Sequence, residues 1–237
     1  MKSAYADVRG FTIVELLIVV VVIGILATIS VVAYNTVRDK AEFASVQSDT
    51  TNIAKQLELF KTTNDAYPTA IDDCPTPGVT TLCLSSGSNT IKYKKLDGIT
   101  QGGRAIGPAY ELTVLGDKSF LYSSSAEIAG TTEFVGYTDL APIFDQYGLV
   151  NYKLSFDIKS ANVDSQNTIT VYLHNGSDIR HYFAKSIPIS TSYAHHELIV
   201  KPSLSDASVA ASWLRFYGVW SSGNIPTIKN LRLELAK

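Results

Sequence analysis

The strongest constraint on this chain is a run of 24 residues, 11–34, that is almost wholly apolar and carries one charge, Glu15. A helix of that length reaches about 36 Å at about 1.5 Å per residue, enough for a hydrocarbon core of about 30 Å with some tilt. A secretory signal has a shorter apolar core, about 7–15 residues, with a small-residue cleavage site after it. Val31-Val32-Ala33 makes a poor exit of that kind. Lys2 and Arg9 precede the run and favour a cytoplasmic N-terminus, while Arg38 and Lys40 beyond it are offset by Asp39 and Glu42. The expectation is a single-pass cytoplasmic (inner) membrane protein, N-terminus inside, with the bulk of the chain outside.

Glu15 then needs a reason. An acidic side chain in the middle of a span costs about 3 kcal/mol on insertion scales and less near an end, so one kept there implies a partner. A cut after Gly10 would place a free amine on Phe11, one helical turn from the Glu15 carboxylate. The two could then meet within one chain or between neighbours, and a helix N-terminus itself favours negative charge.

The stretch RGFTIVELLIV, with Gly10 before Phe11 and Glu15 five residues past the cut, resembles the processing site of type IV prepilins and pseudopilins. The likeness continues through Gly24-Ile25-Leu26-Ala27 to Ala33-Tyr34. It implies cleavage after Gly10 by the prepilin peptidase, N-methylation of Phe11, and Glu15 as the carboxylate used in assembly with other pilin subunits. It also implies passage from the membrane to an extracellular pilus or the cell surface. The proline that the family often carries late in this helix is replaced by Val32, so any local unwinding in a filament falls to Gly24, Thr28 and Ser30.

Beyond the span the pattern turns amphipathic. Ile53, Leu57 and Phe60 recur at helical spacing, and Thr62-Thr63-Asn64-Asp65 followed by Tyr67-Pro68 reads as a stop. This predicts one helix of about 50 residues, apolar at its start and packed on a small antiparallel sheet at its end, as in a pilin head. Cys74 and Cys83, an even pair outside a membrane, are expected to form a disulfide. Closing so short a loop is worth about 2.7 kcal/mol in the chain-entropy model. The alternating run at Ala109–Leu115 and a Gly116-Asp117 turn read as a hairpin. The glycine-rich stretch 97–107 reads as a loop, since it lacks the ending and setting of a phosphate-binding loop.

Residues 123–130 read as a linker, and 131–237 as strands throughout. Tyr152, Leu154, Phe156 and Ile158 alternate with polar residues, as do Ile169, Val171 and Leu173. Leu214 and Phe216, then Leu231, Leu233 and Leu235, follow the same rule. The fold class expected is α+β: a long N-terminal membrane-spanning helix on a small antiparallel sheet, then an all-β antiparallel sandwich of jelly-roll type. The organisation expected is a leader at 1–10, the transmembrane half-helix at 11–34, the amphipathic helix and head at 35–122, the linker, and the sandwich. YKLSFDIKS, LRFYGVW and IPTIKNLRLELAK resemble jelly-roll carbohydrate-binding modules, and an immunoglobulin-like sandwich stays open.

No catalytic motif or cofactor signature stands out, and a structural subunit rather than an enzyme is expected. His195-His196-Glu197 is a poor metal site, because adjacent strand residues face opposite ways. His181, set among apolar positions, reads as a hydrogen-bonded core histidine. If Leu173 and Ile179 both face the core, Asn175-Gly176-Ser177 is a three-residue loop. His174 then opposes Asp178, Tyr172 opposes Arg180 and Thr170 opposes Tyr182. Tyr172, His174, Arg180 and Tyr182 are the residues expected to meet a surface glycan, with at most one of Trp213 and Trp220 beside them. A formal charge of −2 argues against nucleic-acid binding by the isolated chain. The leading reading is a structural and adhesive type IV pilus subunit; the alternative is a pseudopilin of a type II secretion or DNA-uptake apparatus.

Overall fold

The computed structural model describes residues 12–72, 80–84, 87–97, 99–100, 103–130, 134–163, 165–175, 178–204, 211–218 and 224–236. Gly10, Phe11, Cys74 and Trp220 lie outside them, as do Gly176 and Ser177. The chain divides into two compact units, one to Ala41 and one from Glu42.

Helix α1 spans Ile13–Asn64. In the first unit its side chains are exposed, and it is long and apolar enough to cross a membrane. Its hydroxyls are satisfied within the helix: Thr28 donates to the carbonyl of Gly24 at 2.7 Å and Ser30 to that of Leu26 at 2.7 Å. Such back-bonding is what a polar side chain needs in a medium with no other partners. Within the second unit Val46, Thr50, Ile53 and Leu57 are buried, a stripe at helical spacing, while Phe60 is half-buried. Asp65 at φ 57° ends the helix where the threonine-rich stop was expected.

The strands follow in order. β1 (Ala70–Asp72) pairs parallel with β2 (Thr81–Cys83). β3 (Thr90–Leu96), β4 (Ile99–Thr100), β5 (Gly103–Ala105), β6 (Ala109–Leu115), β7 (Phe120–Ser124) and β8 (Ile128–Gly130) come next, then β9 (Phe134–Asp139). Helix α2 (Ala141–Tyr147) precedes β10 (Tyr152–Ser160), β11 (Thr168–Asn175), β12 (Asp178–Pro188), β13 (Ala194–Val200), β14 (Ser203–Leu204), β15 (Trp213–Gly218) and β16 (Pro226–Leu235). One sheet has the order β3-β6-β7-β16-β8-β5-β4, with β10 added on β16 and β13 on β10. The other runs β14-β12-β11-β15-β9. Between them lies the main core, with Tyr152, Leu154, Phe156, Ile158, Ile169, Val171, Leu173 and Phe216 at 0% exposure. The architecture is a long apolar helix with antiparallel sheets in a sandwich, as expected.

A second core fixes the helix to the head. Val46, Ile53 and Leu57 pack on Tyr110, Leu112, Val114 and Leu121 of β6 and β7. Charged residues of the helix take part as well. The Glu42 carboxylate accepts from the Lys118 backbone N–H at 2.5 Å and the Ser119 hydroxyl at 3.1 Å. Asn89 donates to Asp49 at 2.6 Å, and the Tyr67 hydroxyl donates to Glu58 at 2.5 Å. A Cβ at Gly116 would sit 2.7 Å from the Glu42 carboxylate oxygen and 3.1 Å from the Ser119 carbonyl, so a larger residue at the turn would displace the Glu42 side chain from its donors.

Three expectations differ from the structure. The segment read as a linker, 123–130, contains the end of β7 and all of β8, and both pair with β16. Head and sandwich therefore share one sheet, because β16 bonds β7 and β8 on one edge and β10 on the other. The glycine-rich stretch forms the β4–β5 pairing, and β5 continues onto β8. Across β11 and β12 the register is displaced: Tyr172 opposes Ala184 and Thr170 opposes Ser186, not Arg180 and Tyr182. An irregularity between Leu173 and Asn175 takes up the difference, with Asn175 opposite Asp178, so His174 does not oppose it.

His181 is 3% exposed, with its Nδ1 2.6 Å from the fully buried Ser212 hydroxyl and its ring edge-to-face on Phe144. His195 and His196 do face opposite ways: His195 bonds Asp157, whereas His196 stacks on core Phe156 at 5.8 Å. Burial, then the positive charge of Arg180, lowers the pKa of His181; burial, then His195, lowers that of His196. Both are held neutral by the fold, so the stability they contribute is full above a pH of about 6.5 and is lost as pH falls through their depressed folded values. The urea midpoint should fall between pH 7.5 and pH 5.5, and by less in His181→Gln; an equal fall in that variant would refute the assignment. Leu57→Ala, which opens a cavity in the helix–sheet core, should cost about 2–5 kcal/mol. Through the shared sheet it should also lower the unfolding midpoint reported by the fluorescence of the tryptophans, both in the C-terminal half. An unmoved tryptophan transition would show that head and sandwich unfold separately.

Candidate functional site

Two arrangements are candidates for a functional site. The first opens α1. The Thr12 backbone N–H donates to Glu15 Oε2 at 2.9 Å, and the Thr12 hydroxyl donates to the same oxygen at 2.8 Å. In return the Glu15 backbone N–H donates to Thr12 Oγ1 at 3.2 Å. This is a capping box, in which a threonine and a glutamate three residues on satisfy each other's open helix-end donors. It turns the Glu15 carboxylate back toward the N-terminus, the side on which Gly10 and Phe11 lie in sequence. An ionised carboxylate has about four lone-pair sites, so a bound Thr12 leaves room for a cation. Thr12 was not singled out from the sequence, although the T-x-x-E spacing that marks such a box is plain in TIVE.

The second arrangement is the outward face of the sheet β14-β12-β11-β15-β9. Thr170, Tyr172 and His174 alternate with buried Ile169, Val171 and Leu173, and so point away from the core. On β15 Tyr217 lies opposite Thr170, Arg215 opposite Tyr172, and Trp213 opposite His174. Tyr172 sits edge-to-face with both His174 (5.3 Å) and Tyr217 (5.4 Å), and His174 stacks on Tyr217 at 5.8 Å and 21°. Arg215 is only 7% exposed, its guanidinium 5.7 Å from the Trp213 ring centre. Of the four residues expected to act together, Tyr172 and His174 do lie together. Tyr182 is 40% exposed and one pleat from Ala184, the partner of Tyr172. Arg180 is drawn to Asp145 of α2 at 2.5 Å. Trp213, Arg215 and Tyr217 join the group only through the β11–β15 pairing, which local alternation does not reveal.

The open outward face of the other sheet is chemically different. Lys153 pairs with Glu197 at 2.7 Å, and Asp157 accepts from Asn230 at 2.5 Å and lies 2.8 Å from His195. Burial pushes the Asp157 carboxyl up, but the hydrogen bonds from His195 and Asn230 outweigh it and hold it below the ordinary carboxylate range. Among the described residues no group of His, Cys, Asp and Glu is arranged to hold a metal. Cys83 ends β2, and no described cysteine is free.

The chain is similar to a family 11 carbohydrate-binding module from Clostridium thermocellum: 17% identity, 64% of this chain, 86% of the other, TM-score 0.28. It is similar to a family 29 module at 16% identity, 62% and 89%, TM-score 0.30. Likeness at that level carries no statement about ligands. The N-terminus is more informative, since residues 6–31 match the prokaryotic N-terminal methylation motif. The chain is 39% identical over 61 residues to type II secretion system core protein G of Klebsiella michiganensis, covering 26% of this chain and 43% of the relative. The same protein of Escherichia coli K12 is 36% identical over 61 residues, covering 26% and 42%. That of Pseudomonas aeruginosa is 39% identical over 59, covering 25% and 42%. The chain thus spans about two fifths of the length of these curated relatives. The N-terminal segment of the chain thus joins the prokaryotic N-terminal methylation motif to an apolar helix long enough to cross a membrane, and it is over this segment that the chain is similar to type II secretion system core protein G.

Proposed function

We propose that the chain is a structural subunit of a pilus-like filament, cut after Gly10, methylated on the Phe11 amine and assembled through α1. The observation that carries this is the capped Glu15 carboxylate, turned toward the cleavage position inside the region matched by the methylation motif. In a filament the Glu15 carboxylate meets the Phe11 amine of a neighbouring subunit. A charge that is costly for one chain in lipid becomes a specific contact between two. The partners are then the prepilin peptidase and other subunits. The relatives' name, type II secretion system core protein G, favours the secretion pseudopilin over the surface pilus. The second unit lies outside the membrane, where a Cys74–Cys83 disulfide closes the loop before β2, and its sandwich serves surface contact. The near-neutral charge gives no basis for a nucleic-acid partner.

Intact-mass analysis of protein from the native cell should find a mature N-terminus at methylated Phe11. A chain that still begins at Met1, or begins after Ala33, would overturn the reading. Glu15→Val should insert into the membrane at least as well as the parent. Its incorporation into filaments, co-expressed with the parent, should drop at least tenfold, since removing one partner of a buried ion pair costs about 3–5 kcal/mol. Equal incorporation would contradict the assembly role.

A further inference from the structure

We infer that the outward face of the five-stranded sheet is a binding site for a neutral polysaccharide, built on Tyr172, His174, Trp213 and Tyr217 around Arg215. This rests on the reading that the sandwich serves surface contact. The molecule supplies its own comparison. Its two sheets both have outward strand residues that meet solvent, but they are made differently. On β10, β13 and β16 that surface is an ordinary lattice of charges, with Lys153, Glu197, His195 and Asp157 in pairs. On β11 and β15 it is aromatic, and Tyr172, His174, Trp213 and Tyr217 all keep part of their surface open. A strand that needs only to be wet does not need four rings in one patch.

The patch suits a sugar better than its rivals. Pyranose rings offer flat C–H faces and a rim of hydroxyls, and they match a sheet face on which rings alternate with polar groups. Thr170 and Ser186, whose hydroxyls lie 3.2 Å apart, continue the row beyond Tyr172. Arg215 beneath the rings, its guanidinium 5.7 Å from the Trp213 ring centre, supports the platform from below. A polyproline peptide seeks an aromatic-lined groove, whereas this is an open sheet surface. A single-stranded nucleic acid seeks rings set in a positive channel, and here the nearby Arg180 is paired with Asp145.

The test uses the full mature chain in mild detergent, run through native gels cast with soluble β-glucan, xylan or galactomannan. Parallel titrations use a proline-rich peptide and a single-stranded oligonucleotide. At least one of the three polysaccharides should retard the protein. The double change Tyr172→Ala with Tyr217→Ala should weaken that retardation at least tenfold, while Tyr172→Phe with Tyr217→Phe, which keeps the rings, should largely preserve it. Thermal melts check folding, and if the alanine pair fails to fold, Trp213→Ala replaces it with the same expectation. Retardation by none of the three, undiminished retardation of the alanine variants, or binding to the peptide or oligonucleotide alone would overturn the site. Filament incorporation of the same variants is scored beside it. Lost sugar binding with normal incorporation concerns this face alone, whereas failed incorporation of the parent chain would sink the filament reading instead.

Discussion

The second unit depends on one strand that is hydrogen-bonded along both edges. β16 pairs with β10 over most of its length and with β7 and β8 on its other side. To do so it must turn apolar residues into the core on both sides of a register shift. Asn230 at φ 55° provides the irregularity, and Ile228, Leu231 and Leu233 all end up buried. Asparagine is among the few residues that adopt that conformation at low cost. Its side chain is then used again, donating to Asp157 on β10.

The helix is held to this sheet by polar contacts as well as apolar ones. Glu42, Asp49 and Glu58 each reach a donor of the head, spaced along the helix, while Val46, Ile53 and Leu57 fill the space between. Oil alone would permit sliding along the helix axis; charge-assisted bonds at several heights fix the register. At the other end of α1, Glu15 is occupied by its own threonine. The carboxylate is therefore not left bare in the single chain.

Much of the core was legible because it is periodic. The alternation of Tyr152, Leu154, Phe156 and Ile158, and of Ile169, Val171 and Leu173, gives the buried face without knowledge of any partner. The helix stop at Asn64 was equally local. What escaped was non-local. Nothing within residues 123–130 tells that their strand partner lies at 226–235, so two short strands looked like a linker. The displaced β11–β12 register has the same origin: the outward side of each strand was read correctly, but pairing across the hairpin depends on an irregularity with no local mark. At the candidate sites, Tyr172 and His174 were visible on their own strand, whereas Trp213, Arg215 and Tyr217 needed the neighbouring strand to be known. Thr12 was different, being local and simply overlooked beside the charge it caps.

The shared sheet has a mechanical consequence. A domain hung on a flexible tether swings freely and passes force through a single covalent thread. Here a load applied at β10 enters β16 through its ladder, crosses to β7 through the pairs at Leu121, Tyr122 and Ser123, and reaches the buried stripe of α1 from Val46 to Leu57, whereas one applied at β11 meets that sheet across the apolar core. A load on that sheet therefore falls on hydrogen bonds that share it side by side, and it is held until the fastest route to their rupture opens, a matter of unfolding rate rather than of equilibrium stability.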